Sequence, residues 1–324
     1  MQVLGVAAIE ELLPINDCVE VVADAMRAIS RGQVLAPHRT MMALTPPNAM
    51  GIMPGAMPSQ GRFGIKVLGL YPGNGARGLP SHAGAVLLFD AQTGGPVAVL
   101  ESDMLTALRT AAASAVATRA LARPDGTVLA LLGAGYQALW HVRALRGVMP
   151  LRRLQVWSRS RASAQRLVDT LALPDDVLVV IADSAQAAVA GADVVCTLSA
   201  AREPILHGDW LVPGQHVNLV GASVASAREA DNVVVQRSRF YVDAKDSAAV
   251  QAGEWIEAQR AGVVDAGHLR GEIGEVLLGQ VQGRIGADDI TVYKSLGHTA
   301  QDLATADALV QRARASGRYP ELPW

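Results

Sequence analysis

Val128-Leu129-Ala130-Leu131-Leu132-Gly133-Ala134-Gly135-Tyr136-Gln137-Ala138 is the stretch that decides the fold of this chain. An unbroken apolar run of strand length meets Gly-x-Gly-x-x-Ala, and the residues beyond it carry helical spacing. That order is the first βα turn of a dinucleotide-binding half. The first glycine permits the tight turn, the second lets backbone approach a pyrophosphate, and the small third residue lets helix pack on strand. The helix start then turns free N–H groups and a positive dipole end toward phosphate. Gly133, Gly135, Tyr136, Gln137 and Ala138 are therefore candidate cofactor contacts. A glycine-rich turn of another α/β fold is the competing reading, and it must also account for the strands and helices downstream.

Past the loop, a helix from Ala138 to about Leu145 leads to a second strand, Leu154-Gln155-Val156-Trp157-Ser158-Arg159-Ser160-Arg161. An NAD enzyme usually ends this strand with an acid for the ribose 2′-hydroxyl. Here Ser158, Arg159, Ser160 and Arg161 stand instead, and hydroxyls with guanidinium groups suit a 2′-phosphate. The reading is NADP(H); a solvated helix start is the alternative. Strands at Val177–Val180 and Ala192–Leu198 come next, separated by a short helix from Ala185 to Val189. Ligands of such sheets bind at the carboxyl ends of the strands, so Thr197 and Ser199 should line the cofactor cleft. Further strands are expected at His216–Ser223, Arg239–Asp243 and Ile290–Gly297, then a helix from about Thr299 to Ala313. Alternation of strand and helix from about 127 to 297 is the doubly wound pattern.

Upstream the pattern changes. Val19, Val22, Ala23, Met26 and Ile29 recur at helical spacing between Ile15 and Ser30, with Asn16 or Asp17 as a possible cap and Gly32 as the stop. Arg39 opens an alternating, methionine-rich segment that turns at Pro46-Pro47. An exposed charge at a strand edge is its plain reading. In Phe63-Gly64-Ile65-Lys66-Val67-Leu68-Gly69-Leu70, a lysine sits inside an apolar strand, where it needs a partner, a shifted pKa or a route to solvent. Ala85–Asp90 and Val97–Glu101 read as a hairpin. An antiparallel element is foreign to a doubly wound sheet, so the chain should divide. The expectation is an α+β domain over 1–122, completed by the C-terminal helix 298–324, and a Rossmann domain over 123–297. An alanine-rich helix from about Met104 to Leu121 carries Arg109, and a guanidinium among small residues is available to an anion.

Composition limits the partners. The chain has 324 residues, half of them hydrophobic, and a formal net charge of -2, which argues against nucleic acid or an anionic membrane surface. Cys18 and Cys196 match no metal-ligand spacing and read as reduced thiols. No signal peptide or membrane span is discernible, so a cytoplasmic enzyme is expected.

Motifs spread along the chain resemble the ornithine cyclodeaminase and mu-crystallin family. They are Gly64-Ile65-Lys66-Val67, Leu79-Pro80-Ser81-His82, Leu87-Leu88-Phe89-Asp90 with Thr93-Gly94, Thr106-Ala107-Leu108-Arg109-Thr110-Ala111-Ala112, and the glycine loop. Glu203-Pro204-Ile205-Leu206, Val220-Gly221-Ala222-Ser223, Arg228-Glu229, Gly274-Glu275-Val276 and Lys294-Ser295-Leu296-Gly297 continue the series. The resemblance implies that Arg39, Lys66 and Arg109 hold the carboxylate of a small amino or imino acid, and that Lys66 also moves a proton. It further implies cofactor contacts at His82, Arg109, Gly221, Ser223 and Lys294.

Members of the family that cyclise ornithine or oxidise alanine carry an aspartate where this chain has Ser223. A serine cannot be negatively charged at neutral pH without strong activation. Ketimine reductases of the mu-crystallin type have serine there and favour NADPH. The expected activity is therefore NADPH-dependent reduction of 1-pyrroline-2-carboxylate or 1-piperideine-2-carboxylate. Cyclodeamination, amino-acid oxidation and NADPH-dependent ligand binding without turnover are the alternatives. The resemblance also implies a homodimer formed through the first domain. Met53, Tyr71 and His298 are candidates for the pocket wall. The expected chemistry requires the three cations to converge, with no unrelated carboxylate acting in place of the missing acid.

Overall fold

The computed structural model describes residues 1–323. In chain order, the first elements are β1 (Gln2–Leu4), α1 (Val6–Leu12), α2 (Ile15–Ser30), β2 (Thr40–Ala43), β3 (Ala49–Met57), β4 (Arg62–Leu70), β5 (His82–Asp90), β6 (Pro96–Glu101) and α3 (Ser102–Leu121). There follow β7 (Val128–Leu132), α4 (Tyr136–Leu145), β8 (Arg153–Trp157), α5 (Arg161–Thr170), β9 (Leu178–Ile181), α6 (Ala185–Val189), β10 (Val194–Thr197) and β11 (His216–Leu219). The last are α7 (Asn232–Gln236), β12 (Arg239–Val242), α8 (Lys245–Gln251), α9 (Gly253–Arg260), β13 (Leu269–Glu272), α10 (Ile273–Leu277), β14 (Thr291–Lys294) and α11 (Thr299–Ser316).

Two compact units result. One comprises Met1–Arg109 with the segment from His298 onward, and the other is Thr110–Gly297. The division falls inside α3, not at its end near residue 122.

The first unit is a six-stranded sheet in the order β1-β6-β5-β4-β3-β2. It is antiparallel except for β1, which runs parallel to β6. Period-two patterning is plain in β4, where Gly64 and Lys66 are buried and Phe63, Ile65 and Val67 are partly exposed. The buried face packs on α11, and Gly64 makes the approach close. A Cβ at Gly64 would stand 2.3 Å from the Leu87 carbonyl oxygen and 2.7 Å from Leu303 of α11. α2 begins without the side-chain cap expected from Asn16 or Asp17; Pro14 stands at its N-cap. Its fixed φ is compatible with a helix entry, and a proline there supplies no side-chain acceptor.

The second unit is an eight-stranded, all-parallel sheet in the order β13-β12-β14-β11-β10-β7-β8-β9. Strands covered on both faces read as continuous apolar runs, which is why Val128–Leu132 shows no alternation. The chain leaves β9 at one end and returns past β7 to form β10, and this reversal is where such sheets bind ligands. Register brings Leu132, Thr197, Leu219 and Lys294 into one row at the carboxyl edge. The second strand is shorter than its sequence suggested. β8 ends at Trp157, and Ser160 caps α5 by accepting from the Ser163 N–H at 3.2 Å.

Candidate active site

Within the first unit, Lys66 and Arg109 meet on one carboxylate. Lys66 Nζ donates to Asp302 Oδ1 at 3.1 Å, and Arg109 Nε donates to the same oxygen at 3.0 Å. Arg109 Nη1 donates to Gln301 Oε1 at 3.2 Å. Lys66, Arg109 and Asp302 are all buried. β4 supplies the lysine, α3 the arginine, and consecutive residues of α11 supply Gln301 and Asp302. The missing side chain at Gly64, two residues before Lys66, lets that turn of α11 settle on the strand.

The electrostatics of the cluster are uneven. Burial pulls the Lys66 pKa down to about 8; Asp302 opposes the fall, while Arg109 and Arg39 add to it. Burial alone would raise the Asp302 pKa, but Arg109 and Lys66 outweigh it and hold the carboxyl below its ordinary range. Asp302 is thus an unrelated acid beside Lys66, but it does not replace the aspartate absent at Ser223. An anion held by two cations has little basicity left to remove a substrate proton. Lys66, by contrast, can gain and lose a proton near neutral pH.

The other expected residues of this unit are distributed around the pair. Arg39 is half-buried and lies close enough to depress the Lys66 pKa. His82 opens β5, its Nδ1 2.9 Å from Ser81 Oγ. Its ring is exposed on the whole, yet local desolvation lowers its pKa and Lys66 lowers it further. Met53 is the cross-strand neighbour of Lys66 and is buried. Tyr71 is exposed and stands over Gly69. His298 caps α11, its Nδ1 accepting from the Ala300 N–H at 3.1 Å.

The second unit carries the glycine loop. Gly133 has φ +130, and a Cβ there would lie 2.4 Å from the Leu198 carbonyl oxygen, so only glycine fits. Gly135 is the N-cap of α4, and a Cβ on it would meet nothing within 4 Å. A tight first glycine and an open second one fit a pyrophosphate against the start of α4. Tyr136 is exposed at that start and Ala138 is buried against the sheet. Ser158 is half-buried and Arg159 exposed just after β8, where neither side chain is hydrogen-bonded among the described residues. Ser160 is occupied as a cap, and Arg161 pairs with Asp183 at 2.7 Å on an exposed surface. Of these four, Ser158 and Arg159 are the side chains not already engaged in a cap or an ion pair.

One buried carboxylate organises the carboxyl edge. Glu229 accepts from Thr197 Oγ1 at 2.7 Å, from Ser199 N and Oγ at 2.8 and 2.6 Å, and from Gly221 N at 2.6 Å. Its own N–H donates to Glu254 Oε1 at 2.9 Å. Lys294, expected among the cofactor contacts, is fully buried; it pairs with Glu254 at 2.8 Å and donates to the Ala222 carbonyl at 2.6 Å. The loop that carries half-buried Ser223 is thereby tied down from both sides.

Sequence reasoning missed Asp302, Gln301 and Glu254. For Asp302 a signal existed: residues 302, 306, 309 and 313 form one buried helical row, and an acid within it demands a cation. Among the described residues no cluster of His, Cys, Asp or Glu is arranged to hold a metal. None of their helices is long and apolar enough to cross a membrane.

Comparison with known proteins agrees with this architecture. The model of the ornithine cyclodeaminase/mu-crystallin family matches residues 1–317. The chain is 35% identical over 288 residues to ketimine reductase mu-crystallin of Mus musculus, covering 89% of this chain and 88% of the relative. Among solved structures, Thermococcus litoralis Delta(1)-pyrroline-2-carboxylate reductase, in complex with NADH and L-proline, superposes with a TM-score of 0.95 at 31% identity, covering 99% of this chain and 100% of that one. An archaeal alanine dehydrogenase dimer with bound NAD gives a TM-score of 0.93 at 26% identity, covering 100% and 99%. This chain belongs to the ornithine cyclodeaminase/mu-crystallin family.

Proposed function

We propose that this oxidoreductase reduces the C=N bond of cyclic ketimine carboxylates, 1-pyrroline-2-carboxylate and 1-piperideine-2-carboxylate, to proline and pipecolate with NADPH. The observation that carries the reading is Lys66, a buried ammonium with a pKa of about 8 beside Arg109 and within the field of Arg39. A ring carboxylate is held by the guanidinium groups; Arg109 commits Nε and Nη1 to Asp302 and Gln301, which leaves Nη2 for the ligand. Lys66 donates its proton to the imine nitrogen, which makes the adjacent carbon more electrophilic, and recovers a proton from solvent afterwards. When bound, the reduced nicotinamide supplies the hydride that this carbon accepts. One proton and one hydride convert C=N to CH–NH.

Ser223 supports the reductive direction. Removing a proton from an amine or a water needs a base, and neither a neutral hydroxyl nor Asp302 held by two cations provides one. NADPH, in preference to the nicotinamides seen in the archaeal relatives, is supported by Ser158 and Arg159 after β8. A homodimer is supported by the outer face of the six-stranded sheet, where Phe63, Ile65, Val67, Leu87 and Phe89 are only partly covered and the two phenylalanines stack at 5.1 Å. A cytoplasmic location is in keeping with Cys18 and Cys196 as free thiols.

The test is NADPH oxidation with each cyclic imine, in wild type and Lys66→Met. Turnover in wild type that falls about 100-fold or more in the variant supports the reading. Tight NADPH binding with no turnover on either imine would leave a ligand-binding protein, and ammonia released from ornithine would make it a cyclodeaminase.

A further inference from the structure

Asp302 takes no part in the proton and hydride transfers, yet its geometry ties it to both buried cations. Oδ1 accepts from Lys66 Nζ and Arg109 Nε at 3.1 and 3.0 Å, and Oδ2 has no hydrogen-bond partner among the described residues. We infer that Asp302 is the positioning residue that keeps Lys66 loaded with its proton and aimed, by holding a buried anion between the two cations. The inference rests on the reading of Lys66 as proton donor.

The charged groups within reach of Lys66 come from four directions. α3 contributes Arg109 and Asp103, the segment before β2 contributes Arg39, β5 contributes His82, and α11 contributes Asp302. Arg109 and Arg39 bear guanidinium charges, and desolvation followed by Lys66 disfavours the charged form of His82. Asp103, pushed up to about 6 chiefly by burial and then by Glu101, is ionised only above that pH. Asp302 is the anion at contact distance, and the same two cations keep it ionised well into acid. Without it, burial, Arg109 and Arg39 all act against the ammonium. Lys66 would then go neutral inside the working pH range with no proton to give. Arg109 Nε would also lose the acceptor that fixes its plane.

An amide at this position would preserve the packing but not the charge, so charge and shape can be separated. Asp302→Asn and Asp302→Glu are compared with wild type in the full chain. Lys66 is titrated by its rate of acylation with acetic anhydride across pH 5.5 to 10, read by peptide mass spectrometry; neither cofactor nor imine is needed. Wild type should label with a midpoint near 8, the value to which burial brings Lys66. Asp302→Asn should label with a midpoint at least about one unit lower, equivalent to a tenfold change in proton affinity. Its kcat for imine reduction should fall at pH 7.5 and recover toward acid, with a smaller change in KM. Asp302→Glu should retain the wild-type midpoint while kcat drops through misplacement. A folded Asp302→Asn with an unmoved midpoint overturns the inference. If that variant does not fold, an Asp302→Glu midpoint displaced to acid does the same. Absence of imine turnover in wild type would overturn the reductase reading and leave the labelling result intact.

Discussion

Glu254 Oε2 lies 2.8 Å from Lys294 Nζ, and neither side chain reaches solvent. Lys294 also donates to the Ala222 carbonyl, next to Ser223, so the pair acts as an internal brace for that loop. Removing one partner of a buried pair strands the other charge, at a cost of about 3–5 kcal/mol. Lys294→Met should therefore lower the stability read from urea unfolding by that amount, and Lys294→Met with Glu254→Gln should recover part of it. A change in cofactor affinity at constant stability would instead make Lys294 a direct contact.

On the proposed mechanism Lys66 acts as the acid, so kcat/KM for imine reduction, which reports ionisations of the free enzyme, should fall as pH rises through about 8. The ammonium is the active form, and it predominates below that value. Lys66→Met should remove this basic limb from the pH profile as well as most of the rate, and steady-state kinetics between pH 6 and 10 check both.

On the proposed reading, Ser158 and Arg159 carry the preference for NADPH. A hydrogen bond from a charged donor to phosphate contributes about 1.5–3 kcal/mol, so Arg159→Ala should weaken NADPH binding by roughly 10- to 100-fold and NADH binding little. Ser158→Asp should shift the preference in the same direction by repelling the 2′-phosphate. Fluorescence titration with both nucleotides measures the ratio. Equal losses for the two cofactors would place these residues away from the phosphate.

Acid should unfold the second unit through two buried histidines. His141, held between Ser114 Oγ and the Gln137 carbonyl, has its pKa pushed down to about 4 by burial; His216, between Thr291 and Asn218, is pushed to about 3 for the same reason. The unfolded chain takes up these protons below about 6.5, whereas the folded chain does so only near the lowered values. Stability should fall as pH drops from 6.5 toward 4, by roughly 3 kcal/mol per histidine at about 1.4 kcal/mol per pKa unit. His141→Gln should reduce the steepness of that fall by about one proton, as read from urea unfolding at a series of pH values.

Much of this architecture was legible from local pattern. The glycine loop, the helix at Ile15–Ser30, the short helix at Ala185–Val189 and the hairpin of β5 and β6 stand where spacing and turn residues put them. The end of β8 was less legible. A strand stops when its pairing stops, and the Ser160 cap that begins α5 was hidden in a run that also looked like a phosphate site. β1 and α1 at the N-terminus gave little periodic signal, because three strand residues are too few to show alternation.

The amino-acid sequence alone determined the two classes of unit, the glycine turn, and the identity of Lys66 and Arg109 as cations inside apolar elements. Those properties are local, and residues a few positions apart express them through periodicity and backbone freedom. Only tertiary structure decided that Asp302, 236 positions from Lys66, is the anion both cations share. It also decided that Glu229 ties Thr197 to Gly221, and that Lys294 turns inward to Glu254. The first depends on how closely α11 settles over Gly64, the others on packing at the carboxyl edge of the parallel sheet. Such distances are set by packing across the whole unit, and no local stretch contains them.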